Sequence, residues 1–176
     1  VIDAEGNAVS MTSSIETVFG SRLMVRGFML NNQLTDFSFR PVRDGAPVAN
    51  RVEPGKRPRS SMSPTLVFDG RGRVIMAVGS PGGSRIIGYV AKTLIAALDW
   101  GMDMDAAIDA PNFVNRNGAT ELEKGTELEA LKPALEAMGH EVNLLTRGSG
   151  LHGIRVTAEG FDGGADRRRE GVAIGD

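Results

Sequence analysis

From Arg73 the chain reads Arg73-Val74-Ile75-Met76-Ala77-Val78, an apolar run rich in β-forming residues. Between 86 and 100 the residues Ile87, Val90, Ala91, Leu94, Ile95 and Leu98 recur at helical spacing. Gly79-Ser80-Pro81-Gly82-Gly83-Ser84-Arg85 joins the two, so the pattern predicts a strand, a glycine loop and a helix stopped at Gly101. Upstream, Thr65-Leu66-Val67-Phe68 and Val74 onward bracket Asp69-Gly70-Arg71-Gly72, which predicts a hairpin whose second strand delivers that loop. Val1-Ile2-Asp3 and Ala8 to Ser14 flank the turn-like Ala4-Glu5-Gly6-Asn7 and predict another hairpin, and Gly27 to Leu30 reads as a short strand.

Downstream, a short helix is expected over 103–110, ended by Pro111, and a strand over 120–123. A helix is expected over 129–138 with Leu131, Leu135 and Met138 on one face, since Pro133 is tolerable only in a first turn. Strands are expected over 141–145, 153–157 and 172–174. From 40 to 59 no periodicity is found, so this stretch reads as a surface loop. Strands and helices mix without strict βαβ alternation, which favours an α+β layered sheet over a doubly wound fold.

The 176 residues are 41% hydrophobic and 24% charged, enough for one globular domain with a core. A net charge of −2 gives no field that would draw nucleic acid, although 40–59 holds Arg40, Arg43, Arg51, Lys56, Arg57 and Arg59 against Asp44 and Glu53. The absence of cysteine excludes disulfides, thiolate zinc sites and a cysteine nucleophile. No apolar run approaches the roughly 18 residues of a membrane span. Val1 is not an initiator methionine and the chain opens inside an alternating pattern, so a cut or trimmed precursor is expected.

The glycine loop fails G-x-G-x-x-G, with proline at 81 and serine at 84, fails the P-loop pattern because no Lys-Ser/Thr follows, and fails the nucleophile elbow because Pro81 occupies the serine position. It is either a structural strand-to-helix turn or a set of backbone N–H groups for an anion or a developing oxyanion. Asn31-Asn32-Gln33-Leu34-Thr35-Asp36-Phe37 is either an amide-rich turn or a holder of a substrate ammonium, with Asp36 supplying charge and Gln33 a neutral acceptor. Ser60 and Ser61 are either solvated or donors to a carboxylate. His140 and His152 lie apart with no ligand spacing, so no metal site is expected, and no cofactor motif is found. No Ser-His-Asp trio can be argued, so a hydrolase or transferase built here would take its nucleophile from elsewhere.

Five motifs in register resemble the small, C-terminal subunit of γ-glutamyltransferase along essentially the whole chain. They are Asp3-x-x-Gly6-Asn7-Ala8-Val9-Ser10, Phe19-Gly20-Ser21, Leu30-Asn31-Asn32-Gln33-Leu34-Thr35-Asp36-Phe37, Lys56-Arg57-Pro58-x-Ser60-Ser61-Met62-Ser63-Pro64-Thr65 and Gly79-Ser80-Pro81-Gly82-Gly83-Ser84-Arg85. The resemblance implies an N-terminal-nucleophile hydrolase with an αββα sandwich, of which 1–176 is the small-subunit domain. A proenzyme of this kind cuts itself, and the new N-terminal threonine becomes the nucleophile, with its own α-amine able to act as base. That threonine would lie a few residues ahead of Val1, so these residues alone are expected to be inactive.

By the same resemblance Gly82 and Gly83 form the oxyanion hole, and Ser60 and Ser61 bind the glutamyl α-carboxylate. Gln33 and Asp36 hold the α-ammonium, Ser14 is a hydroxyl close to the nucleophile, and Glu16 falls on another ammonium position that is Asn or Glu in the family. Some members carry a tyrosine-bearing lid before the Lys-Arg-Pro motif; 40–55 has no tyrosine, so an open acceptor side is expected. The implied partners are a large N-terminal subunit of the same precursor and glutathione or another γ-glutamyl compound, without cofactor or metal. The implied compartment is periplasmic or extracellular. Without its partner the subunit is expected to expose apolar surface and self-associate. Two alternatives stay open: a β-lactam (glutaryl-cephalosporin) acylase of the same family, and a non-catalytic module using this fold.

Overall fold

A computed structural model describes residues 1–146 and 148–175. The chain divides into two compact units, one formed by Ser13–Ser60 and the other by Val1–Thr12 with Ser61–Asp176.

The Ser13–Ser60 unit is built on tight turns. Strands β1 (Met24–Val25) and β2 (Phe28–Met29) pair across Arg26 and Gly27, both at positive φ, the geometry of a two-residue hairpin turn. A 3-10 turn spans Gln33–Asp36, and Phe37 behind it is buried. The stretch 40–59 is not a featureless loop. Strands β3 (Val42–Arg43) and β4 (Ala46–Pro47) form a second hairpin across Asp44 and Gly45, again both at positive φ. Two-residue strands are too short to show alternation, so only the Asp-Gly pair could have revealed this hairpin.

In the other unit β5 (Thr65–Phe68) and β6 (Val74–Gly79) form the expected hairpin. Asp69 closes its turn, its Oδ1 accepting from the N–H groups of Arg71 and Arg73 at 2.8 and 3.0 Å. Two helices follow, α1 (Ile86–Leu98) and α2 (Met104–Asp109), the first turned away at Gly101, with φ +70°, and the second capped by Asp103 Oδ1 accepting from the Ala106 N–H at 2.7 Å. Strands β7 (Phe113–Asn115) and β8 (Thr120–Glu123) pair antiparallel. β8 also pairs in parallel with β9 (Val142–Leu145), the crossover running through a 3-10 turn (Glu127–Leu131) and helix α3 (Lys132–Ala137). The helix expected over 129–138 is thus split: Pro133 lies in the first turn of α3, and Leu131 and Met138 are exposed.

Strands β10 (His152–Thr157) and β11 (Gly160–Ala165) complete a four-stranded antiparallel sheet in the order β11-β10-β6-β5. The core lies between this sheet and the helices: Met76, Val78, Tyr89, Val90, Ala96, Met104, Ala107, Ile108 and Leu151 are all buried. β11 has the composition of a loop because α2 lies directly on it. A Cβ at Gly164 would sit 2.8 Å from the Met104 carbonyl oxygen, and one at its pair Gly153 would overlap Met104 Cε. Val172 to Ile174, expected as a strand, joins no ladder and leaves both end residues exposed. The hairpin expected over 1–14 reduces to a single bridge between Ile2 and Ala8.

The carboxyl end of α2 is held by two cations, a buried lysine and a half-buried arginine. Lys92 Nζ donates to the carbonyls of Ala107, Ile108 and Ala110 at 3.0, 3.3 and 2.8 Å, and Arg168 reaches Asp109 and Ala110 at 2.9 and 3.3 Å. Burial, reinforced by the neighbouring Arg168 charge, drives the Lys92 pKa down to about 8.

Candidate active site

The loop that leaves β6 begins at Ser80, which is buried and donates through Oγ to the Pro81 carbonyl at 2.7 Å. The same oxygen accepts from the Gly150 N–H at 3.4 Å. Gly82 and Gly83 follow with φ of +141° and +59°, two successive residues in the region that L side chains avoid. At Gly82 space is closed as well, since a Cβ would meet Tyr89 Cε2 at 2.8 Å; at Gly83 the same position is open. A 3-10 turn over Gly83–Arg85 then leads into α1 with no side-chain cap. Among the described residues neither the Gly82 nor the Gly83 N–H donates to an acceptor within the chain. Two adjacent N–H donors at a helix entrance suit an oxyanion.

A charged clamp fixes the far end of this loop. Arg85 grips Glu121 on β8 with both arms, at 2.5 and 2.7 Å. Arg116 reaches the same carboxylate at 2.7 Å and Ser84 Oγ at 2.6 Å. Burial would raise the Glu121 pKa, but the hydrogen bonds from Arg85 and Arg116 win and hold it below the usual carboxylate range. The near end rests on a buried polar network. Asn112 donates to Ser149 Oγ at 2.9 Å, Ser149 donates to Asp166, and Asp166 Oδ1 accepts from Arg168 Nη1 at 3.1 Å. Arg168 in turn holds Glu123 at 2.5 and 2.9 Å. The network supports Gly150, where a Cβ would press to 2.6 Å from Pro81 Cγ. Ser61 belongs to this unit too, its carbonyl accepting from Ser63 Oγ at 3.0 Å just ahead of β5.

Ser14, Glu16, Gln33, Asp36 and Ser60 lie in the Ser13–Ser60 unit. Ser14 Oγ accepts from the Glu16 N–H at 2.8 Å, and Glu16, at φ +77°, accepts from Asn32 Nδ2 at 2.6 Å. Asn32 also binds Thr17 and Thr35, so Glu16 sits in a polar set that sequence reading did not foresee. Gln33 and Asp36 do come together: Gln33 Nε2 donates to Asp36 Oδ2 at 3.3 Å. The opposite face of that amide, Gln33 Oε1, is buried and without a partner among the described residues. An orphaned acceptor beside a carboxylate is chemistry suited to an ammonium donor. Ser60 ends this unit, exposed to solvent.

Sequence reading missed the clamp and the network because their members are scattered: no local spacing joins Arg85 to Arg116 and Glu121, or Glu123 to Asp166 and Arg168. Among the described residues no three His, Asp or Glu side chains gather to hold a metal, and no helix is long and apolar enough to cross a membrane.

Comparison with known proteins agrees with these motifs. The family model for gamma-glutamyltranspeptidase matches residues 1–176. The glutathione hydrolase proenzyme of Bacillus subtilis is 39% identical over 99% of the chain, and that of Escherichia coli is 40% identical over 91%. The chain spans only 30% and 29% of the lengths of these relatives. A solved structure of a gamma-glutamyltranspeptidase mutant from Helicobacter pylori superposes with a TM-score of 0.86 at 35% identity, covering 96% of this chain and 97% of that one. With an α+β fold, the glycine loop and the amide-carboxylate cluster in place, the chain belongs to the gamma-glutamyltranspeptidase family.

Proposed function

We propose that this chain is the small-subunit part of a γ-glutamyltransferase or glutathione hydrolase, paired with a large subunit from the same proenzyme. The observation that carries the reading is the pair of adjacent N–H donors at Gly82 and Gly83, held open by positive φ and clamped through Arg85 to Glu121. The nucleophile is a threonine ahead of Val1. Its α-amine takes the hydroxyl proton as Oγ attacks the γ-carbonyl of the donor, and the carbonyl oxygen becomes an oxyanion facing the two N–H groups. Collapse breaks the amide bond, the leaving amine takes the proton, and the γ-glutamyl group remains as an ester on the threonine. Water or an amino acid or peptide amine then attacks the ester, and the threonine hydroxyl is restored.

Gln33 and Asp36 supply acceptors for the donor's α-ammonium, supported by the orphaned Gln33 Oε1. Ser60 and Ser61 donate to its α-carboxylate, Glu16 adds a further acceptor, and Ser14 stands close to the nucleophile. These roles favour a glutamyl group over a glutaryl one, which has no ammonium.

The test is the complete protein assayed on γ-glutamyl-p-nitroanilide and on a glutaryl-cephalosporin. Preferential γ-glutamyl release, abolished when the upstream threonine is replaced by alanine, supports the reading. Preference for the glutaryl compound would move the chain to the acylases, and no turnover of either, with no threonine ahead of Val1, would leave a non-catalytic module. Residues 1–176 alone are expected to release nothing.

A further inference from the structure

Within the Ser13–Ser60 unit one side chain joins the two segments to which the proposed ammonium and carboxylate contacts belong. Asn50 donates through Nδ2 to the Asp36 carbonyl at 2.7 Å and accepts through Oδ1 from the Arg59 N–H at 3.0 Å. Its own carbonyl accepts from the Ser38 N–H at 2.8 Å, and Ser38 forms a parallel bridge with Arg51. So Asn50 touches the backbone of the residue that carries the proposed ammonium acceptor and of the residue next to Ser60. It is half-buried and belongs to neither β3 nor β4.

The two bonds use a donor and an acceptor on separate atoms of one rigid group, which the planar amide supplies; an ionised carboxylate only accepts, and a hydroxyl has both roles on a single oxygen. They also run to main-chain atoms, so they act on the course of the two segments rather than on one rotamer. The α-ammonium and α-carboxylate of an amino acid hang from one carbon. Groups meant to meet both must therefore keep their spacing within about 0.5 Å.

We propose that Asn50 is a positioning residue for an α-amino-acid head group: it sets the spacing between Asp36, with its partner Gln33, and Ser60. The inference rests on the proposed roles of Asp36 and Ser60, and its effect falls on binding of the donor substrate rather than on the chemical step.

The test uses the complete protein with γ-glutamyl-p-nitroanilide as donor and three variants: Asn50→Ala, Asn50→Asp and Asp36→Asn. Asn50→Ala severs both bonds, and Asn50→Asp keeps an acceptor for Arg59 while losing the donor to Asp36. With hydrogen-bond losses of this kind, KM is expected to rise about tenfold in Asn50→Ala and less in Asn50→Asp, with kcat within about twofold of the parent. A purely structural role would instead lower the amount of active enzyme and leave KM alone. An unchanged KM in Asn50→Ala, while Asp36→Asn raises it, overturns the proposal and leaves the site assignment standing. An unchanged KM in Asp36→Asn overturns the assignment and the proposal together. Loss of folded protein in both Asn50 variants, read by circular dichroism, also overturns it, because Asn50 would then serve the fold rather than the site.

Discussion

Gly82 and Gly83 are neighbours in the chain but face different limits on substitution. At Gly82 an alanine meets both a φ of +141° and the Tyr89 ring at 2.8 Å, so the loop must move before the methyl fits. Gly83, at φ +59° with open space around its Cβ position, asks alanine only for a left-handed conformation, a cost of about 1–2 kcal/mol. Under the proposed reading Gly82→Ala therefore displaces an oxyanion donor and lowers kcat on γ-glutamyl-p-nitroanilide by about 100-fold or more, whereas Gly83→Ala loses about tenfold. Equal losses in the two variants would count against the geometric argument. The glycines themselves were legible in the sequence because backbone chemistry of this kind has few residue solutions. Gln33 and Asp36 were legible for the same reason, as an amide and a carboxylate three residues apart in a turn. The second layer was not, since Ser80, Tyr89 and Asn50 act through contacts to main chain or ring that no local spacing encodes.

Between elements, the position of the glycine loop depends on β8 through Glu121. Arg85 is the more enclosed of its two partners, with 14% of its side chain exposed against 39% for Arg116, so the two ion pairs differ in worth. Glu121→Ala leaves the largely enclosed Arg85 without its carboxylate and is expected to destabilise by about 2 kcal/mol, with a loss of activity as the loop end loosens. Arg116→Ala removes an exposed pair and should cost under about 1 kcal/mol. Thermal unfolding of the two variants beside the parent checks the order, and a larger loss in Arg116→Ala would reverse the argument. Elements with strong periods, β6, α1 and the β5–β6 turn, could be read from the sequence because their residues answer to local rules. β11 could not: Gly163 and Gly164 lack any strand preference, and the place of Gly164 is set by α2 pressing on the sheet. Val172 and Ile174 mislead in the opposite sense, being β-branched residues left exposed without a partner strand.

For the molecule as a whole, the buried polar network and Lys92 tie stability to pH in two separate windows. Burial pushes the Asp166 carboxyl up, but the bonds from Ser149 and from the backbone of Arg168 and Leu151, with the Arg168 charge, outweigh it and leave the pKa below its ordinary 3.8. The unfolded chain then takes up this proton at higher pH than the folded one does, so the stability Asp166 provides is full above about pH 4 and is lost as pH falls through the lower folded value. Lys92 works at the other end. Its pKa of about 8 in the fold lies under the ordinary 10.5, so between those values the unfolded lysine keeps a proton that the folded one has shed. Stability from this group therefore rises with pH across about 8 to 10.5 and is level below it. Asp166→Asn should lower stability at neutral pH by about 2 kcal/mol, through the weakened bonds to Ser149, Leu151 and Arg168 while Arg168 keeps Glu123, and flatten the acid limb. Lys92→Met should flatten the alkaline rise and leave the acid limb in place. Thermal midpoints of the complete protein and both variants between pH 3 and 10 resolve the two. An alkaline rise that survives Lys92→Met would assign that limb to another group, and would mean that the carbonyl cluster of Ala107, Ile108 and Ala110 holds the lysine in its charged form throughout.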